Sequence, residues 1–144
     1  MTTATAHAPS SAFVGASWCA LLIGMLMYFA GLFNATIALN EKGYYLTVLL
    51  YGLFAAVSLQ KSVRDRLEGI PVSGMYYGLC WFSLFSAVVL ISVGLWNASL
   101  ASSEKGFYAM SFVLSLFAAV AVQKNVRDTL AAAPFEAVEK PAIA

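Results

Sequence analysis

The chain is poor in charge. Of its 144 residues, 8 are Lys or Arg and 7 are Asp or Glu, for a formal net charge of +1 and 10% charged residues, against about 25% in an ordinary soluble domain. A soluble globular surface cannot be built from so few charges, and the near-neutral balance removes the basic footprint of a nucleic-acid binder. Position sharpens the scarcity: segments 13–40, 43–60, 69–103 and 106–123 contain no Asp, Glu, Lys, Arg or His. Ion-coupled transporters and proton relays carry an ionisable group at membrane depth, so this absence counts against both. One histidine, His7, and two cysteines without a CxxC spacing, Cys19 and Cys80, supply no metal cluster. Both thiols are expected to lie buried and unpaired, as small apolar side chains. P-loop, dinucleotide-fingerprint, HExxH and GxSxG patterns are missing. No catalytic residue, cofactor or metal is therefore expected, and no small-molecule substrate is assigned.

What is present is apolar. The chain is 61% hydrophobic and 14% aromatic, with a mean hydropathy of +0.80, which excludes disorder. Uncharged runs near 14–33, 44–60, 77–96 and 107–123 each approach the about 20 residues that an α-helix needs to cross a bilayer. A membrane β-barrel requires alternation of apolar and polar residues, and runs such as ALLIGMLMYFAGLF from Ala20 do not alternate. The expected fold is an all-α membrane protein with four transmembrane helices. The first run is not read as a signal peptide, because residues 1–12 hold no Lys or Arg and the run exceeds an h-region of about 7–15 residues.

An ungapped alignment at an offset of 63 pairs residues 13–67 with 76–130 and finds 23 identities in 55 positions. The chain is a tandem duplication, expected as two helical hairpins at 13–67 and 76–130, joined by a linker at 68–75 and flanked by unstructured tails at 1–12 and 131–144. An even number of spans per unit makes the repeats parallel, related by an axis along the membrane normal. Lys61, Arg64, Arg66, Lys124, Arg127 and Lys140 lie at one end and only Lys42 and Lys105 at the other. The positive-inside rule then puts both termini in the cytoplasm. Phe33, Tyr44, Tyr45, Trp96, Phe107 and Tyr108 are expected to form an aromatic belt at the outer interface.

Two signatures recur at the same spacing in both halves: Asn34-Ala35 followed by EKGYY from Glu41, repeated as Asn97-Ala98 and EKGFY from Glu104, and QKSVRD from Gln60, repeated as QKNVRD from Gln123. This pattern resembles the YiaA/YiaB inner-membrane family, whose two-helix unit occurs here twice, over about residues 13–130. The resemblance implies a small bacterial inner-membrane protein with four spans and carries over no activity to particular residues.

Each motif has a structural and a functional reading. Asn40 and Ser103 suit helix N-caps, Glu41 and Glu104 then fall in the positive first turn, and Gly43 and Gly106 would allow close helix contact. The sharper reading makes Glu41, Lys42, Glu104 and Lys105 acid and base pairs around an outer vestibule. Lys61 with Asp65 and Lys124 with Asp128 stand at i,i+4 spacing. Basic residues here favour the helix C-terminus and anionic headgroups, while Gln60, Arg64, Gln123 and Arg127 could instead form a docking patch. Asn34 and Asn97 match N-x-[ST], yet they hug the membrane in a chain of bacterial resemblance, so helix termination or an interhelical hydrogen bond is expected. Ala16, Ala20 and Gly24, and Ser111, Ser115 and Ala119, form small-xxx-small stripes that let helices approach.

The expected function is that of a non-enzymatic inner-membrane component, structural, accessory or stress-related. It would act by helix association in the lipid bilayer, as a homo-oligomer or with another membrane protein. The alternative is a small oligomeric channel or transporter with a Ser/Thr-lined path.

Overall fold

The computed structural model describes residues 7–139, which form α1 (Ser11–Asn34), α2 (Leu39–Leu67), α3 (Gly74–Asn97) and α4 (Ser102–Glu139). All four are long and apolar enough to cross a membrane. The starts of α1 and α3 are set by a pair of duplicated serines. The Ser10 hydroxyl accepts from the Phe13 N–H at 3.3 Å and the Ser73 hydroxyl from the Tyr76 N–H at 3.2 Å, each satisfying a donor that the first helical turn leaves open. The repeat therefore reaches two to three residues further back than its apolar run. At the other end α4 continues through 131–133 and Pro134 where a tail is expected. Three consecutive alanines, the strongest helix formers, account for that extension.

Connectivity is that of two hairpins, but the packing is not made within them. α1 runs antiparallel along α4, α2 runs antiparallel along α3, and α2 and α4 lie side by side in the centre, while α1 with α2 and α3 with α4 touch only slightly. Each repeat thus packs its outer helix on the inner helix of the other repeat. α1 meets the backbone of α4 at Gly24, where an added Cβ would fall 2.7 Å from Ser115 Oγ and 3.0 Å from the Ser115 nitrogen. Only a residue without a side chain lets α1 lie this near the α4 backbone. Gly24, Ser111, Ser115 and Ala119 of the two small-residue stripes are buried, whereas Ala16 faces outward.

A tyrosine cluster fills the loop-end half of the core. Tyr45 and its counterpart Tyr108 stack across the pseudo-twofold axis with ring centroids 5.9 Å apart, and Tyr28 meets Tyr108 edge-on at 5.6 Å. The fully buried Tyr28 hydroxyl donates to the Tyr45 carbonyl at 2.8 Å, as a polar group at membrane depth must. Tyr45 and Tyr108 are consequently core residues and not members of the expected belt; Phe33 and Trp96, at equivalent positions, are exposed. Cys80 is buried as expected, but Cys19 is exposed on the outer side of α1.

Candidate functional site

The loop end is closed by the EKG motifs. The N-caps of α2 and α4 are Ala38 and Ala101, not Asn40 and Ser103: the Glu41 carboxylate accepts from the Ala38 N–H at 2.9 Å, and Glu104 from Ala101 at 2.8 Å. An alanine has no side-chain acceptor, so the glutamate three residues on supplies the cap. Lys42 donates to the Phe33 carbonyl at 3.0 Å and Lys105 to the Trp96 carbonyl at 3.4 Å, binding the last turn of the preceding helix. Glu41 and Lys42 therefore hold the two sides of one loop. Asn34 and Asn97 bond back to Ala30 and Val93 of their own helices at 2.7 and 2.8 Å, which ends α1 and α3 without an interhelical bond. Gly43 and Gly106 are exposed with open space around them, so the close contact expected there is absent. It is made instead by Gly94 and Gly31, which carry the rings of Tyr44 and Phe107. As a result Gly31, Asn34 and Ala35 of one repeat share a cleft with Glu104, Phe107 and Tyr108 of the other, and Gly94, Asn97 and Ala98 share its twin with Glu41, Tyr44 and Tyr45.

The opposite end is an interlocked ion-pair cluster. Arg64 pairs with Asp128, and Arg127 pairs reciprocally with Asp65 at 2.7 Å, so each arginine of the QK.VRD motif meets the aspartate of the other copy. The i,i+4 pairs form as expected, Lys61 with Asp65 at 2.6 Å and Lys124 with Asp128 at 2.8 Å. Glu68 binds Arg64 at 2.7 Å and Arg127 at 2.6 Å, bridging the repeats. These two guanidinium hydrogen bonds, from Arg64 first and Arg127 second, hold the Glu68 carboxyl below its ordinary range. Four cations thus share three carboxylates.

The chain behind this cluster is bent by Gly69, the one described residue in the left-handed region, at φ 75°. Ile70 N–H bonds to the Asp65 carbonyl at 2.8 Å and Gly69 N–H to Arg66 at 3.2 Å. That Schellman pattern ends α2 and sets Glu68 between the arginines. Beneath the ion pairs the Asn125 amide, 2% exposed, donates to Ser17 at 3.0 Å. Ser62 and Cys80, the counterparts of Asn125 and Ser17 in the other helix pair, lie 3.5 Å apart. The side-chain oxygens of Gln60, Gln123 and Asn125 are buried without a partner. A groove of about 550 Å³ opens beside Gln60, with Leu59, Val63, Leu84 and Val120 in its wall and Gln60, Arg64, Glu68 and Lys124 at its rim.

The duplication read from the sequence has a direct counterpart among known proteins. A family model described as the yiaA/B two helix domain matches residues 13–65 and again 76–128. The chain belongs to the YiaA/B family. It is similar to Inner membrane protein YiaA of Escherichia coli K12, at 57% identity over 119 residues covering 83% of this chain and 82% of that protein. It is also similar to Uncharacterized membrane protein YubF of Bacillus subtilis 168, at 36% identity over 58 residues covering 40% of this chain and 67% of that one. No solved structure matches the chain. As a member of this family the chain is an integral membrane protein with four transmembrane helices.

Glu68, Asn125, Ser17 and Arg66, whose guanidinium lies 4.3 Å over the Tyr77 ring, were not marked by the repeated motifs. The signal for Glu68 and Asn125 is where the repeats differ: at the same offset Glu68 stands against Ala131 and Asn125 against Ser62.

Proposed function

We propose that this YiaA/B protein is a non-enzymatic component of the bacterial inner membrane, with both termini in the cytoplasm, acting through helix association with another membrane protein or with its own copies. The reading rests on how the duplicated charges are used. Glu41, Lys42, Glu104 and Lys105 close their own loops, and Arg64, Asp65, Arg127 and Asp128 bind one another across the repeats. Such side chains serve to hold a rigid bundle, and the surface left for a partner is the apolar outer face of α1 and α3, with Trp18, Leu22 and Leu26 on one and Phe82, Phe85 and Val89 on the other exposed. The E. coli relative is named as an inner membrane protein, and six basic residues against two favour the cytoplasmic placement of the termini. In-membrane crosslinking of the tagged protein, followed by mass spectrometry, tests the proposal. Specific recovery of a different membrane protein, lost on Trp18→Ala with Phe82→Ala, supports an accessory role, and recovery of the protein alone supports self-association. Recovery of neither refutes both.

A channel or transporter is the weaker reading. Ser111 and Ser115 are buried and donate to the Phe107 and Ser111 carbonyls of their own helix, which favours packing over a polar path. Liposome flux altered by Ser115→Ala would reverse that preference.

A further inference from the structure

The groove at the basic end has the composition of a lipid site. It exists because α3 and α4 scarcely touch, so the space between them opens sideways into the bilayer, and its volume of about 550 Å³ is that of a small-molecule pocket. Its wall is apolar over Ala56, Leu59, Val63, Leu84 and Val120, and its rim is polar on one side only, towards the ion-pair cluster. In hydrocarbon an open apolar channel is filled by an acyl chain. The rim adds a demand for particular headgroup chemistry.

Two groups at that rim have capacity to spare. Lys124 is half exposed and uses one of its three N–H donors on Asp128. Arg64 places Nε on Glu68 and Nη2 on Asp128, which leaves its other terminal nitrogen outside these ion pairs. Glu68, the one carboxylate on the rim, is occupied by both arginines, so the unspent capacity is cationic. The phosphodiester of a lipid headgroup satisfies it. Basic pockets between helices at this membrane level are the recurring form of anionic-lipid sites.

We propose that this groove binds one anionic glycerophospholipid from the leaflet at the basic end. Its acyl chain lies along Leu59, Val63 and Leu84, and its phosphate sits at Lys124 and Arg64.

The test is native mass spectrometry of the full chain released from nanodiscs, titrated with phosphatidylglycerol, phosphatidylethanolamine or phosphatidylcholine as separate probes. One phosphatidylglycerol is expected to bind in preference to the other two. Lys124→Gln should weaken it about fivefold, the effect of one basic residue at a lipid headgroup, and Lys124→Arg should not. Leu84→Trp, which fills the groove without touching the ion pairs, should abolish it, and Leu84→Ala should retain it, separating occlusion from misfolding. The proposal is overturned by equal binding of the three lipids. It is also overturned by phosphatidylglycerol binding that Leu84→Trp leaves intact, which would be diffuse surface attraction, or by a Val63→Cys crosslink to a second copy that excludes lipid.

Discussion

Gly24→Ala is the substitution that the packing makes most consequential. The new methyl carbon would sit 2.7 Å from Ser115 Oγ, 3.0 Å from its nitrogen and 3.2 Å from its Cα, so the nearest contact is roughly 0.7 Å short of van der Waals distance. Two of the three atoms are α4 backbone and cannot rotate away. The helices must separate, loosening the seam that holds Tyr28 and the Asn125–Ser17 bond. Overpacking of this kind costs about 1–3 kcal/mol. The repeat register points to a partial rescue: the counterpart of Gly24 is Ala87 and that of Ser115 is Gly52, both buried, so glycine is the native residue at the α2 position that matches Ser115. Ser115→Gly in the Gly24→Ala background removes the Oγ contact, the shortest of the three, and leaves the two backbone contacts in place. Ser115→Gly alone should cost about 1 kcal/mol from helix propensity. The double variant should therefore recover part of the Gly24→Ala loss, a coupling of at least about 0.5 kcal/mol. Reversible unfolding in mixed micelles, followed by circular dichroism, measures the cycle. Effects that add within about 0.5 kcal/mol would refute the close approach of α1 and α4.

Gly69→Ala should lose about 1–2 kcal/mol by forcing a Cβ into the left-handed region, with Gly69→Asn losing less in the same unfolding assay. Ser62→Cys on a Cys19→Ala background should oxidise with native Cys80, 3.5 Å from it in the parent chain; after cleavage engineered into the 68–73 loop the halves should stay joined until reduced, and free halves would contradict the cross-repeat pairing. Glu68 has a folded pKa below its unfolded one, so its contribution is complete above the ordinary glutamate range and disappears as pH falls through the lower folded value. Glu68→Gln should accordingly flatten the acid limb of stability, and an unchanged limb would exclude the bridge. In intact cells a membrane-impermeant maleimide should label Thr36→Cys and spare Ile70→Cys on a cysteine-free background, and the reverse would place the termini outside.

Bonds between successive turns of one helix were legible and the interior seams were not. Asn34 and Asn97 end α1 and α3 through bonds to their own preceding turns, and the Lys–Asp i,i+4 pairs form on single helices. Both depend on neighbours in sequence. The expectation that Asn40 and Ser103 cap their helices missed because Glu41 and Glu104 reach back to Ala38 and Ala101 and start each helix earlier. The expected contact at Gly43 and Gly106 missed because those positions face away from every other helix.

Length of apolar run, the position of each charge cluster and the offset of 63 are properties of the chain alone, and they determine four membrane helices in two copies of one unit. The choice of partner for each helix was decided in three dimensions. A membrane helix is apolar on all sides, so α1 and α3 carry no polar face that marks an outside. Their inner faces are set by where small residues let backbones meet and where polar groups find bonds: Gly24 at Ser115, Ser17 with Asn125, Arg64 with Asp128. Each of these joins residues that the sequence holds between one and about one and three-quarter repeats apart, and only the crossed packing brings them together.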